Sequence, residues 1–219
     1  MWRSLALACL IGLGLEAPAP AQTAFSTVPD RAIKSPDGHA TVSIRSDADD
    51  NASVNLVVGG RSHVLRQVEK FGTVAALMDA TWSPNSQIFS INVSDAGAVG
   101  GWHAMIYRLR SNDTPTFVDI ERILAPHLRH FSHCDGGPEI NYVAAAWPAG
   151  GHEVAILASV ADHSLCQNMG DYKAFILDTR TWRIIKIIPQ AHVPKSWTPA
   201  GYSIPKSGPA PRAVLASAF

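Results

Sequence analysis

Three times along the chain a short proline turn leads straight into an apolar, β-branched run. Ser35-Pro36-Asp37-Gly38 precedes Ala40 to Arg45, Trp82-Ser83-Pro84-Asn85-Ser86 precedes Ile88 to Val93, and Trp147-Pro148-Ala149-Gly150-Gly151 precedes Glu153 to Leu157. Proline presets one turn dihedral, and the Asp, Asn or Gly after it tolerates tight reversal, so each segment predicts a hairpin between two strands. The tryptophan ends the strand before the second and third turns; Lys34 stands in its place before the first. Ala104 to Leu109 completes the second unit, and Ala174 to Thr179 with Trp182 to Ile187 completes the third. A recurring hairpin of this kind implies tandem antiparallel sheets.

The rest of the chain fits that plan. Short β-branched and aromatic runs separated by Gly, Pro, Asn, Asp and Ser predict strands at 40–46, 53–58, 62–67, 74–82, 87–94, 103–110, 115–120, 140–147, 152–160, 172–178 and 182–188. Helical spacing occurs once, over 119–131, where Ile120, Ile123, Leu124, Leu128 and Phe131 fall near one face and Pro126 marks a first turn or a kink. The expected fold class is therefore all-β: about three consecutive antiparallel sheets and one short helix. With 219 residues, 47% of them hydrophobic, the chain can bury a core. Lys plus Arg number 18 and Asp plus Glu 18, so the basic surplus that drives nucleic-acid binding is missing and no nucleic-acid partner is expected.

The tryptophan-led turns resemble the W-S-P-D-G hairpin of TolB-like, WD40-like β-propeller repeats, over most of residues 33 to 188. The resemblance implies that each unit is one four-stranded blade, with the aromatic packed between blades. The stretch His163 to Gly170 is similar to a segment of uncharacterised secreted bacterial proteins that carry such repeats, and it implies no activity. Ser35, Ser83 and Pro148 are 48 and 65 residues apart, wider than the roughly 40 to 45 of regular propeller repeats. Three units also fall short of the roughly four to eight blades that close a ring. The expectation is an open partial β-propeller, followed by a half-ring that closes by self-association and an irregular β-sandwich. The organisation reads as a signal peptide (1–21), a β-propeller-like repeat domain (22–188) and a Pro-rich C-terminal tail (189–219), which either packs over the last blade through Trp197 and Tyr202 or moves freely.

The first 21 residues carry Arg3, an apolar run from Leu5 to Leu15 and an Ala19-Pro20-Ala21 ending, the layout of a secretory signal peptide cleaved before Gln22. The run is too short to span a bilayer, and no later stretch suits, so no transmembrane segment is expected in the mature chain. A secreted or periplasmic location follows. Cys9 leaves with the peptide, and the remaining pair, Cys134 and Cys166, is expected to form a disulfide in an oxidising compartment. With a turn at Pro148 to Gly151, the two cysteines lie at nearly equal distances from it, at the open end of one hairpin.

The densest polar cluster is His127, His130, His133, Cys134 and Asp135, ligand types that suit a divalent transition metal. Positions three apart share a helix face, but a residue six along has rotated away unless the helix ends first. Arg129 adds positive charge and Cys134 is committed to the disulfide, so the segment reads as a solvated, partly packed histidine stretch; no metal, cofactor or catalytic residue is assigned. No G-x-S-x-G, H-E-x-x-H, C-x-x-C or phosphate loop is present. His152-Glu153 reads as an exposed strand edge, Asp162-His163-Ser164 as a loop beside Cys166, Ser203 to Lys206 as a chance S-x-x-K, and Asp47, Asp49, Asp50 and Asn51 as a solvated turn. Trp102, after Gly100-Gly101, is the tryptophan expected to be exposed, where it would serve as a ligand platform. Asn51, Asn92 and Asn112 head N-x-S/T sequons.

The functional expectation is a secreted, non-catalytic module that binds a protein or envelope component through blade loops. The alternative is a metal-dependent or hydrolytic enzyme centred on 127–135. Self-association of half-propellers is a third reading.

Overall fold

The structure, a computed structural model, describes residues 23–26, 31–46, 52–68, 77–94, 101–134, 140–161 and 164–197. The expected signal peptide, the acidic turn 47–51, Asp135, Asp162, His163 and the chain from 198 onward, with Tyr202, Ser203 and Lys206, lie outside the described residues.

The fold is mostly β, in three antiparallel sheets with one helix. β1 (Thr23–Ser26) comes first in the chain but does not join the first sheet. That sheet runs β2 (Arg31–Lys34), β3 (Ala40–Ser46), β4 (Ala52–Val58) and β5 (Arg61–Val68). Its period-two pattern sets one face: Ala40, Val42 and Ile44 pair with Val58, Leu56 and Val54, all buried. Gly59 and Gly60, both at positive φ, make the two-residue turn between β4 and β5.

The second sheet contains β6 (Leu77–Trp82), β7 (Ile88–Ser94), β8 (Trp102–Leu109) and β9 (Pro115–Val118), and β1 adds a fifth strand along the other edge of β6. β7 is buried on both faces. Phe89, Ile91 and Val93 pack against the first sheet, whereas Ile88 packs toward the third. The strand expected over 115–120 stops at Val118 because Asp119 caps α1 (Ile120–Leu128), its Oδ1 accepting from the Arg122 N–H at 2.9 Å. Ile120, Leu124 and Leu128 turn one face of α1 into the core between the second and third sheets. The helix ends three residues before Phe131; Pro126 sits near its end and cannot donate to the Arg122 carbonyl.

The third sheet runs β10 (Ile140–Ala146), β11 (Glu153–Val160), β12 (Tyr172–Asp178) and β13 (Ile184–Pro189). Both faces are packed. Tyr142, Ala144, Val154, Ile156, Phe175 and Leu177 meet the second sheet and α1, while Val143, Leu157 and Ala174 on the other face pack with Trp102, Ile188, Val193 and Trp197. The chain after β13 thus doubles back over the last sheet through Trp197.

The first two proline turns are built alike, atom for atom. Ser35 Oγ contacts Asp37 Oδ1 and accepts from the Ala40 N–H, and the Ser35 N–H donates to the Ala40 carbonyl. Ser83 Oγ contacts Asn85 Oδ1 and accepts from the Ile88 N–H, and the Ser83 N–H donates to the Ile88 carbonyl. Gly38 and Ser86 take the same positive-φ position. The third turn lacks the serine and closes as a 3-10 turn over Ala149–Gly151. The three turns also touch in series: the Asp37 N–H donates to Ser86 Oγ at 3.0 Å, and Asn85 Nδ2 donates to the Gly151 carbonyl at 3.3 Å. Trp82 lies buried between the first and second sheets with Nε1 donating to the Ile33 carbonyl, and Trp147 packs into the core between the second and third.

Candidate functional site

All the described connections at one end of the sheets are tight turns. At the other end of the third sheet lies the longest described connection, from Ala161 to Asp171 apart from residues 162 and 163, and it faces the segment that leaves α1. Ile140 pairs with Val160 in β10–β11, and six residues further out on both chains Cys134 pairs with Cys166 in the same register, joined by a disulfide. The hairpin spacing located this bond correctly. Between the turn and the disulfide the register shifts once, from Ala146 opposite Ala155 to Ala144 opposite Ile156.

Around the disulfide several backbone groups are held. The Gln167 N–H donates to the His133 carbonyl, and Asn168 works in two directions: its Oδ1 accepts from the His133 N–H at 2.9 Å while its Nδ2 donates to the Phe131 carbonyl at 2.8 Å and to Asp171 Oδ2. Ser164 Oγ donates to the Ala161 carbonyl and so anchors the loop. Gly170, at φ +82, closes the loop back onto Val160. Beside the disulfide, Leu165 is 82% exposed and Met169 37%. The loop thus presents two large apolar side chains to solvent.

The histidines do not converge. His127 sets its ring edge-on to Phe175 at 6.3 Å, and His130 and His133 are exposed beyond the end of α1. Among the described residues no group of three His, Cys, Asp or Glu side chains is placed to hold a metal ion. One cation packs here: Lys173 Nζ lies 4.1 Å from the centre of the Phe131 ring, and partial burial lowers its pKa. At the start of α1, Glu121 meets His103 at 2.8 Å. Burial, helped by the Glu121 charge, pushes the Tyr142 hydroxyl up to about 12.

Two expectations are overturned. Trp102 is not an exposed platform: it is 6% exposed, packs with Val143, Leu157 and Ala174, and its backbone N–H donates to Asn141 Oδ1 at 2.9 Å. It opens β8, and alternation there turns its side chain toward the third sheet. His152-Glu153 is not a strand edge, because β11 lies between β10 and β12; His152 is a turn residue whose carbonyl accepts from the Thr179 N–H.

The site residues that sequence reasoning missed are Leu165, Met169 and Asn168. Their only signal was position, in the segment from Ser164 to Gly170 around Cys166. Among the described residues no helix is long and apolar enough to cross a membrane. No protein-family model matches the chain, and neither the curated proteins nor the solved structures compared with it give a match.

Proposed function

We propose that the chain is a secreted or periplasmic, non-catalytic binding module, an open partial β-propeller of three blades that engages a partner protein through the disulfide-braced loop. The observation that carries this reading is Leu165, 82% exposed next to the Cys134–Cys166 disulfide in a loop tied to the α1 exit by Asn168. The blade reading is supported by the repeated turn network and by the sheets following one another in chain order. An open array is favoured over a ring of two copies. The free face of the third sheet is already covered by Val193 and Trp197, whereas the free face of the first mixes Thr41, Ser43, Ser53 and Asn55 with the exposed Val57 and Val64, so the two ends do not match as a ring would need. The location rests on the disulfide, which persists in oxidising compartments.

A photo-crosslinking amino acid placed at position 165, with position 64 of the first sheet as control, tests the reading in the native envelope. A discrete adduct from position 165 alone is expected. No adduct, or the same adducts from both positions, removes the loop as the binding surface.

A further inference from the structure

Asp79, on β6, is the one buried carboxylate among the described residues. Because Asp79 pairs with Asn92 and Thr81 with Ser90, one face of β6 and β7 carries Asp79, Ser90 and Asn92 toward the third sheet, where Asn92 meets Ala144. Among the described residues Asn92 Nδ2 is the single donor to the Asp79 carboxyl, at 3.4 Å from Oδ2, and it also holds the Ala144 carbonyl at 2.9 Å. One amide thus serves acceptors on two sheets. Asp79 Oδ1 and Ser90 Oγ, buried on the same face, have no hydrogen-bond partner among the described residues.

The amide lies nearer Ala144 than Asp79, the arrangement that suits a neutral carboxyl. A carboxylate would draw the amide toward itself, because a hydrogen bond to an ionised acceptor is shorter and roughly twice as strong. No charged side chain among the described residues reaches Asp79 to oppose this. β1 and β7, which flank β6, contain no ionisable residue, and β2, on the Trp82 side of β6, carries Arg31 and an exposed Lys34. Across the seam β10 carries only Tyr142, which feels the Glu121 charge. On β8, His103 is held by Glu121, Tyr107 stacks on Phe89, and Arg108 lies over Trp182. Burial raises the Asp79 pKa to about 6, so its proton is shed between acid and neutral conditions.

We propose that Asp79 is a proton-operated latch on the seam between β7 and β10: protonated, it leaves Asn92 to tie down Ala144, and ionised, it draws Asn92 off and slackens the β10–β11 hairpin. Ala144 is the point where the register of that hairpin slips, so a lost tie there is not made good by regular pairing. The flanking ties, from the Trp102 N–H to Asn141 and from Asn85 to the Gly151 carbonyl, involve no ionisable group, so the hairpin loosens without leaving the second sheet. Its open end carries the Cys134–Cys166 bridge and the 164–170 loop. The latch therefore regulates that loop, and this consequence rests on reading the loop as the binding surface: a partner meets it firmly held in acid and looser at neutral pH.

The test is an NMR titration of the isotope-labelled full-length protein from about pH 4 to about pH 8. The Ala144 amide and the Asn92 carboxamide should shift with a common midpoint of about 6, and the Asp79 side-chain carbon should trace the same curve. Smaller shifts are expected over 164–170 and none over β3. Asp79→Asn, which is close in shape and never charged, should hold all these signals still; circular dichroism checks its fold. The proposal is overturned if Ala144 and Asn92 do not titrate, if their midpoint differs from that of Asp79, if Asp79→Asn titrates in the same way, or if β3 shifts as much as β10. Should the variant not fold, the wild-type curves alone decide. None of these readouts involves a partner, so they judge the latch whatever position 165 crosslinks.

Discussion

The Asn92 carboxamide pairs with both backbone groups of Ala144, its Oδ1 accepting from the N–H at 2.8 Å and its Nδ2 donating to the carbonyl at 2.9 Å. A single side chain on β7 thereby does for β10 what a neighbouring strand would do, at the point where the β10–β11 register slips. The asparagine is wholly buried, so both bonds form away from water, where an unpaired backbone group is costly. Asn92 heads a sequon, but this burial makes it a joint between sheets rather than a surface acceptor.

Replacing Asn92 with Ala should cost about 2 to 3 kcal/mol, since two buried backbone groups lose their partner. Asn92→Asp should cost more, because a carboxylate would face the Ala144 carbonyl. Urea unfolding at neutral pH measures both, and an Asp variant as stable as the Ala variant would contradict the geometry.

Asp79 lies on the same seam, 2% exposed, with Asn92 Nδ2 at 3.4 Å from Oδ2 and no partner among the described residues for Oδ1. Burial raises its pKa from 3.8 to about 6, the Asn92 hydrogen bond opposing only weakly. The folded chain therefore holds this proton more tightly than the unfolded chain. Its contribution is fully present below about pH 3.8 and is lost as pH rises through about 6, a swing of about 3 kcal/mol. Asp79→Asn, which cannot ionise, should gain stability relative to wild type between pH 4 and pH 7 by about that amount. Parallel urea titrations across that range check it; a constant difference would place the carboxylate in contact with water or a cation.

The Cys134–Cys166 bond closes a separation of 32 residues that contains the whole β10–β11 hairpin. Opening it should cost about 3 to 4 kcal/mol on the loop-entropy account. The loss should be local as well as global. Amides over 164–170 should exchange faster in a Cys134→Ala/Cys166→Ala variant, while β3 and β7 change little until global unfolding. Hydrogen exchange by mass spectrometry reads this directly, and uniform acceleration would show that the disulfide braces the whole chain instead.

Much of the strand layout was legible because turn chemistry is local. Pro36, Pro84 and Pro148 mark reversals, and the strands that follow begin within a residue or two of their expected starts. The disulfide was legible because hairpin register is simple counting. β1 and β2 were not, since four residues such as Thr-Ala-Phe-Ser carry no period and are ordered only by the strands beside them. Trp102 misled because the glycines before it suggest a loop, whereas its burial depends on a third sheet some 40 residues further on. Leu165 looked like any loop leucine. Its exposure acquires meaning only from Asn168 and Cys166, whose partners lie more than 30 residues away.

The contact between successive proline turns gives the last prediction, and it separates close packing from backbone strain. Gly150 and Gly151 both have positive φ, +64° and +90°. A Cβ on Gly150 would meet nothing within 4 Å, but one on Gly151 would come within 3.0 Å of Asn85 Cγ and 3.1 Å of Ser83 Cβ in the neighbouring turn. Gly150→Ala should therefore cost only the conformational term, about 1 kcal/mol. Gly151→Ala carries the same strain and also pushes the second and third turns apart, disturbing the Asn85 and Thr179 hydrogen bonds to its carbonyl, for about 2 to 3 kcal/mol. Adding Asn85→Ala to Gly151→Ala should recover part of the difference by making room, whereas the same addition to Gly150→Ala should only destabilise further. Thermal melts of the wild type, the three single variants and the two double variants decide it, and purely additive effects in both pairs would mean that the turns do not bear on one another.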